Sequence, residues 1–77
     1  PFNPSTVIKF NIAKTANVSI NVYNSLGKLV TTLVSQKLNS GTYQVDFDGK
    51  ELSSGIYFYT MNIDGKVSAA KKMLLVK

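Results

Sequence analysis

Hydrophobic and polar residues alternate with a period of two along most of this chain, the pattern of strands with one buried and one solvated face. Ile8, Phe10 and Ile12 fall on one side of a first such segment, with Lys9 and Asn11 on the other. Ala13-Lys14-Thr15-Ala16-Asn17 reads as a connection. Val18, Ile20 and Val22 then alternate with Ser19, Asn21 and Tyr23 in a second strand. Asn24-Ser25-Leu26-Gly27 has turn composition, and Gly27 can take positive φ. Leu29 to Val34 is a third, β-branched segment.

After the turn residues Asn39-Ser40-Gly41, the residues Tyr43, Val45 and Phe47 form the inward set of a fourth strand. Asp48-Gly49 ends that strand, and Leu52 is expected to plug the core from the irregular stretch before Ser53-Ser54-Gly55. A fifth strand, Ile56 to Ile63, places Tyr57, Tyr59, Met61 and Ile63 on one face. Asp64-Gly65 predicts a type I′ hairpin turn. One strand or a pair of strands follows from Lys66 to Lys77, with its faces blurred at Met73-Leu74-Leu75-Val76. No helical period survives more than a turn. The pattern predicts an all-β fold, an immunoglobulin-like antiparallel β-sandwich of roughly six to seven strands, in architecture only.

Length and composition narrow the function. Seventy-seven residues make one small domain, and a chain of this size buries only about 60% of its unfolded surface. The 44% hydrophobic content is enough for a single core if it is well patterned. Cysteine and histidine are both absent, which removes disulfides, thiolate metal sites, the commonest metal ligand and the commonest general base. Ser53 and Ser54 therefore have no histidine to activate them. Asp46 and Asp48 are spaced to share a strand face, but a calcium loop concentrates more oxygen ligands around a required glycine, and no such pattern is present. An enzyme is not expected, nor a cofactor or a metal.

The net charge of +5 rests on lysines alone, at 9, 14, 28, 37, 50, 66, 71, 72 and 77. Scattered lysines without arginine do not make a nucleic-acid face; they read as a solvated surface that discourages strand pairing. No run approaches the ~18 apolar residues that span a bilayer, so membrane insertion is not expected. The chain starts on Pro1 without a start methionine or an apolar signal segment, and reads as a fragment of a longer protein.

Three short signals punctuate the strands. Pro1-Phe2-Asn3-Pro4-Ser5-Thr6 opens the chain, Ser54-Gly55-Ile56-Tyr57 enters the fifth strand, and Lys71-Lys72-Met73-Leu74-Leu75-Val76-Lys77 closes it. Each has a plain structural account: an extended lead-in, a tight strand entry with inward tyrosines, and lysines guarding an apolar edge strand. In this order, and with Val22-Tyr23-Asn24, Leu26-Gly27, Leu38-Asn39-Ser40-Gly41 and Asp46-Phe47-Asp48-Gly49 between them, they resemble the type A C-terminal sorting domain of the type IX secretion system. Related immunoglobulin-like modules, including that of flagellar hook-capping proteins, share much of the pattern. The resemblance covers essentially the whole chain, as a single C-terminal sorting domain over 1–77. Family members usually open one Pro-Asn pair earlier, and many carry tryptophan where this chain has Phe47.

The resemblance implies a non-catalytic address label at the C-terminus of secreted proteins of Bacteroidota and allied bacteria. Cargo fused on its N-terminal side would pass through the periplasm, cross the outer membrane by the type IX translocon and reach the surface or the medium. There a surface sortase commonly removes the domain. Translocon and sortase components are the implied partners, and Pro1, Asn3, Pro4, Gly55, Tyr57, Lys71, Lys72 and Lys77 are the motif positions. An exposed edge near the last strand is the expected reading surface, since it offers backbone hydrogen bonds and lysines to orient a partner. The alternative is a structural, adhesive or carbohydrate-binding module of an extracellular protein. Such modules show a row of exposed aromatics, for which Tyr23 is the one clear outward candidate here.

Overall fold

Short segments of strict alternation each have one apolar face to bury, and two sheets packed face to face bury all of them at once. The computed structural model describes residues 5–76 and has this arrangement. Six strands follow one another: β1 (Ser5–Ile12), β2 (Ala16–Asn24), β3 (Leu29–Leu38), β4 (Gly41–Asp48), β5 (Gly55–Ile63) and β6 (Lys66–Leu75). β1 pairs with β4 in a two-stranded sheet, while the other strands form a four-stranded sheet in the order β3-β2-β5-β6. All pairings are antiparallel. The β-sandwich expected from the alternation is present, with six strands. Pro1, Asn3, Pro4 and Lys77 lie outside the described residues.

The alternating sets meet between the sheets as anticipated. One cluster joins Ile8, Val22, Phe47, Tyr57 and Leu75, and a second joins Phe10, Ile12, Val18, Ile20 and Met61. Leu33, Val45 and Tyr59 pack against both and make the core continuous. Leu52 packs against the first cluster from the connection between β4 and β5, in the plugging position foreseen for it. Phe10 and Tyr43 stack across the β1–β4 pair, with ring centroids 5.6 Å apart.

Three details differ from the sequence reading. β2 begins at Ala16, which is buried, so the connection before it is shorter than expected. β3 continues past Val34 to Leu38, because β2 extends far enough to pair Ala16 with Leu38 and satisfy the backbone of Ser35, Gln36 and Lys37. The C-terminal segment is a single strand, β6, whose inward side is now clear: Leu75 is fully buried and Met73 and Ala69 half-buried, whereas Leu74 is exposed.

Two turns set the register of the four-stranded sheet. At residues 24–28 the Asn24 carboxamide oxygen accepts the N–H groups of Leu26 and Lys28 (2.9 and 3.0 Å), and Gly27 takes φ +81°. At the β5–β6 hairpin Asp64 and Gly65 both have positive φ, 50° and 83°, the geometry of the type I′ turn. The Asp64 carboxylate also accepts the Asn17 N–H at 2.9 Å, and the Asp64 N–H donates to the Asn17 carbonyl at 2.8 Å. The hairpin tip is thus tied to the start of β2. Asp64→Ala removes the carboxylate and leaves a residue ill suited to positive φ, so a loss of about 1–2 kcal/mol is expected. Asp64→Asn keeps an acceptor and tolerates that conformation, and urea denaturation is expected to place it close to the native protein.

Candidate recognition surface

Tyr57 and Gly55 stand at the entry of β5. Gly55 has φ +154°, a backbone conformation that side chains rarely adopt, although a methyl group built there would meet no atom within 4 Å. The constraint at Gly55 is therefore conformational and not one of space. Two residues on, the Tyr57 ring is buried beside Ile8, Val22, Phe47 and Leu75, and its hydroxyl donates to the Ser53 carbonyl at 2.8 Å. One side chain so ties the β4–β5 connection to the core. The Tyr43 hydroxyl makes a comparable bond, donating to the Asn39 carbonyl at 2.6 Å ahead of β4.

β6 is an edge strand that pairs with β5 alone among the described residues. Its alternation separates the two lysines of the closing motif. Lys71 shares a side with Met73 and Leu75 and lines a groove of about 250 Å³ between β1 and β6, together with Ile8, Phe10, Tyr59 and Met61. Lys72 alternates to the outer side of the sheet, in register with Phe58, and with Lys71 borders a second groove of about 260 Å³ against Thr6, Val7 and Ile8 of β1. Both are exposed. Among the described residues β6 therefore presents a backbone edge without a partner strand, with a cation on each side of it, beside the open seam of the sandwich. The first and last described residues lie at one end of the sandwich, since Ser5 pairs with Asp48 and Leu75 with Gly55.

The opposite seam, between β3 and β4, is different in character. Asp46 and Asp48 are exposed there, and with Glu51 they line a groove of about 470 Å³ over Phe47 and Leu52. The Asp48 carboxylate accepts the Lys50 N–H at 2.9 Å, as a turn-forming residue does. Among the described residues no three His, Cys, Asp or Glu side chains are grouped to hold a metal ion. No described helix is long and apolar enough to cross a membrane.

The outer face of the four-stranded sheet carries residues that the sequence reading passed over. Leu29, Tyr23, Phe58 and Lys72 lie in one register row across β3, β2, β5 and β6. Phe58 was overlooked because it sits between two inward tyrosines, in an unbroken aromatic run; its even position in a strand whose odd positions are buried was the available signal. Tyr23 is therefore not alone: a second outward aromatic stands directly opposite it.

No curated protein and no solved structure matches the chain. A family model described as a secretion system C-terminal sorting domain matches residues 1–77. The fold has the two-sheet β architecture expected from that resemblance. The chain belongs to the family of type IX secretion system C-terminal sorting domains.

Proposed function

We propose that this chain is a non-catalytic signal domain that directs cargo fused on its N-terminal side from the periplasm through the type IX outer-membrane translocon. Membership in the family implies contact with that secretion machinery and export to the cell surface or beyond. The observation that carries the finer reading is β6: a ten-residue edge strand whose two adjacent lysines flank it on opposite sides. Such an edge can accept a partner strand through its backbone, while Lys71 and Lys72 fix the approach electrostatically. Gly55 and Tyr57 contribute by holding the entry of β5, against which β6 is laid. Pro1, Asn3, Pro4 and Lys77 extend the signal at the two ends of the chain. Removal of the domain by a surface sortase after export completes the reading.

The test is charge reversal on an intact fold. Lys71→Glu/Lys72→Glu changes two exposed side chains, so the melting temperature of the purified domain is expected to stay near that of the native protein. Fused to a periplasm-directed fluorescent protein in a type IX-competent bacterium, the double variant is expected to reach the surface or medium at least about tenfold less than the native fusion. That ratio corresponds to about 1.4 kcal/mol of lost recognition. Export undiminished by the double reversal would remove the β6 edge as the reading surface.

A further inference from the structure

The outer face of the four-stranded sheet is divided along its length. At one end the row Leu29–Tyr23–Phe58–Lys72 is joined by the neighbouring pair Ile56–Leu74. The four apolar members other than Tyr23 are 54%, 42%, 39% and 44% exposed for Leu29, Ile56, Phe58 and Leu74, and Leu26 projects from the adjoining turn. Further along, the same face turns polar. Thr32 donates to the Asn21 carboxamide oxygen at 2.8 Å, and Ser35, Ser19 and Asn62 make the next row, which ends on exposed Val67 at the β6 edge. A contiguous apolar cluster at one end of a sheet face whose other rows are polar, but for Val67 at the edge, has no role in the core, and clusters of this kind mark interaction sites.

Charge decides what kind of partner fits. β2, β3, β5 and β6 contain no aspartate or glutamate, and they carry Lys37, Lys66, Lys71 and Lys72. Three of the four carboxylates, Asp46, Asp48 and Glu51, line the groove at the β3–β4 seam, and Asp64 is at the hairpin tip with the polar rows. The apolar end of the face is thus bordered by lysine, with Lys72 inside the row and Lys28 in the turn beside it. A second copy of the chain would bring like charge against like charge.

We infer that the outer sheet face around Phe58, Tyr23, Ile56, Leu74 and Lys72 docks a protein partner whose contact surface is apolar at its centre and carboxylate-bearing at its rim. The inference rests on the sorting reading, which makes that partner a component of the secretion machinery. It adds a second contact to the one proposed at the β6 edge: Lys72 and Leu74 belong to both the edge strand and this face. A partner reading them is held by burial of apolar area at the face and oriented by charge.

The test compares export of full-length fusions carrying Phe58→Asp, Phe58→Thr and Leu74→Asp with that of Ser35→Asp, a charge added at the polar end of the same face. Phe58→Thr keeps a strand-favouring residue, so at least one variant is expected to melt like the native domain. A drop of at least about tenfold for the Phe58 and Leu74 variants, with Ser35→Asp exported normally, is the expected result. Normal export of folded Phe58→Thr and Leu74→Asp would overturn the inference and leave the sorting reading standing. If the native fusion itself is not exported, the sorting reading fails and this inference falls with it. Two further results would overturn the choice of partner. One is sedimentation of the purified domain with phosphatidylglycerol vesicles, abolished by Phe58→Asp, which would assign the face to an anionic lipid surface. The other is a dimer in analytical ultracentrifugation, dissolved by the same substitution, which would assign it to a second copy.

Discussion

Replacing Phe47 with alanine is expected to leave the domain without a cooperative unfolding transition at 37 °C. Phe47 is 1% exposed and lies where the two sheets close over Ile8, Val22, Tyr57 and Leu75. Removing a buried phenylalanine side chain costs about 3–5 kcal/mol, because transfer energy is lost and the surrounding strands close the cavity only in part. Stability of about 0.05–0.15 kcal/mol per residue gives a domain of this length about 4–12 kcal/mol in all. With no disulfide available, the low end of that range applies and the loss is comparable to the total. Phe47→Leu leaves most of the volume and is expected to melt cooperatively at a lower temperature. Circular dichroism melts of the three proteins decide the matter: a native-like transition for the alanine variant would contradict the central place given to this ring.

Deleting residues 71–77 is expected to unfold the domain as well, and this changes how a truncated sorting signal should be read. The deletion removes about half of the β5–β6 pairing, from Gly55–Leu75 to Tyr59–Lys71 in register. It also removes Leu75, which is 0% exposed, and half-buried Met73, both in contact with the first core cluster. Loss of Leu75 beyond its β-carbon alone is worth about 2–5 kcal/mol, before the lost strand pairing is counted. Loss of export after such a truncation would follow from unfolding, whether or not the lysines are read. The melting curve of the truncated protein checks this, with no cooperative transition expected. A native-like melt would show that β6 beyond Ala70 is dispensable for the fold, and truncation would then report on recognition directly.

Most strand faces were legible in the chain because solvent on one side and core on the other impose alternation residue by residue. Ile8, Phe10 and Ile12, then Val18, Ile20 and Val22, announce their side without ambiguity, and Asp64-Gly65 states its turn type in two residues. Sheet membership was not legible. Nothing in the residues 13–15 says that β1 leaves its neighbour in sequence to pair with β4 in the other sheet. The face of β6 was hidden for a different reason: Leu74 is apolar and exposed, so the period disappears where the outer surface is itself hydrophobic. The same cause concealed Phe58. An apolar residue on an outer face breaks the very pattern by which a core is recognised.

The motif residues differ in what the fold makes of them. Tyr57 reads in the sequence as an inward aromatic and is one, with its hydroxyl spent on the Ser53 carbonyl. Lys71 and Lys72 read as a pair, yet alternation turns them to opposite sides of β6, Lys71 toward the groove over Tyr59 and Met61 and Lys72 toward Phe58, while both border the seam with β1. Adjacent charges on a strand can therefore serve two surfaces, a consequence of the two-residue period that a sequence motif alone does not display.

The most direct test of the account is export of a periplasm-directed fluorescent protein carrying residues 1–77 at its C-terminus, in a type IX-competent bacterium and in its translocon-deficient twin. Fluorescence at the surface or in the medium of the competent strain only, with periplasmic retention in the twin, is the predicted result. Retention in the periplasm of both strains, with the fused domain shown to be folded by its melting transition, would contradict it.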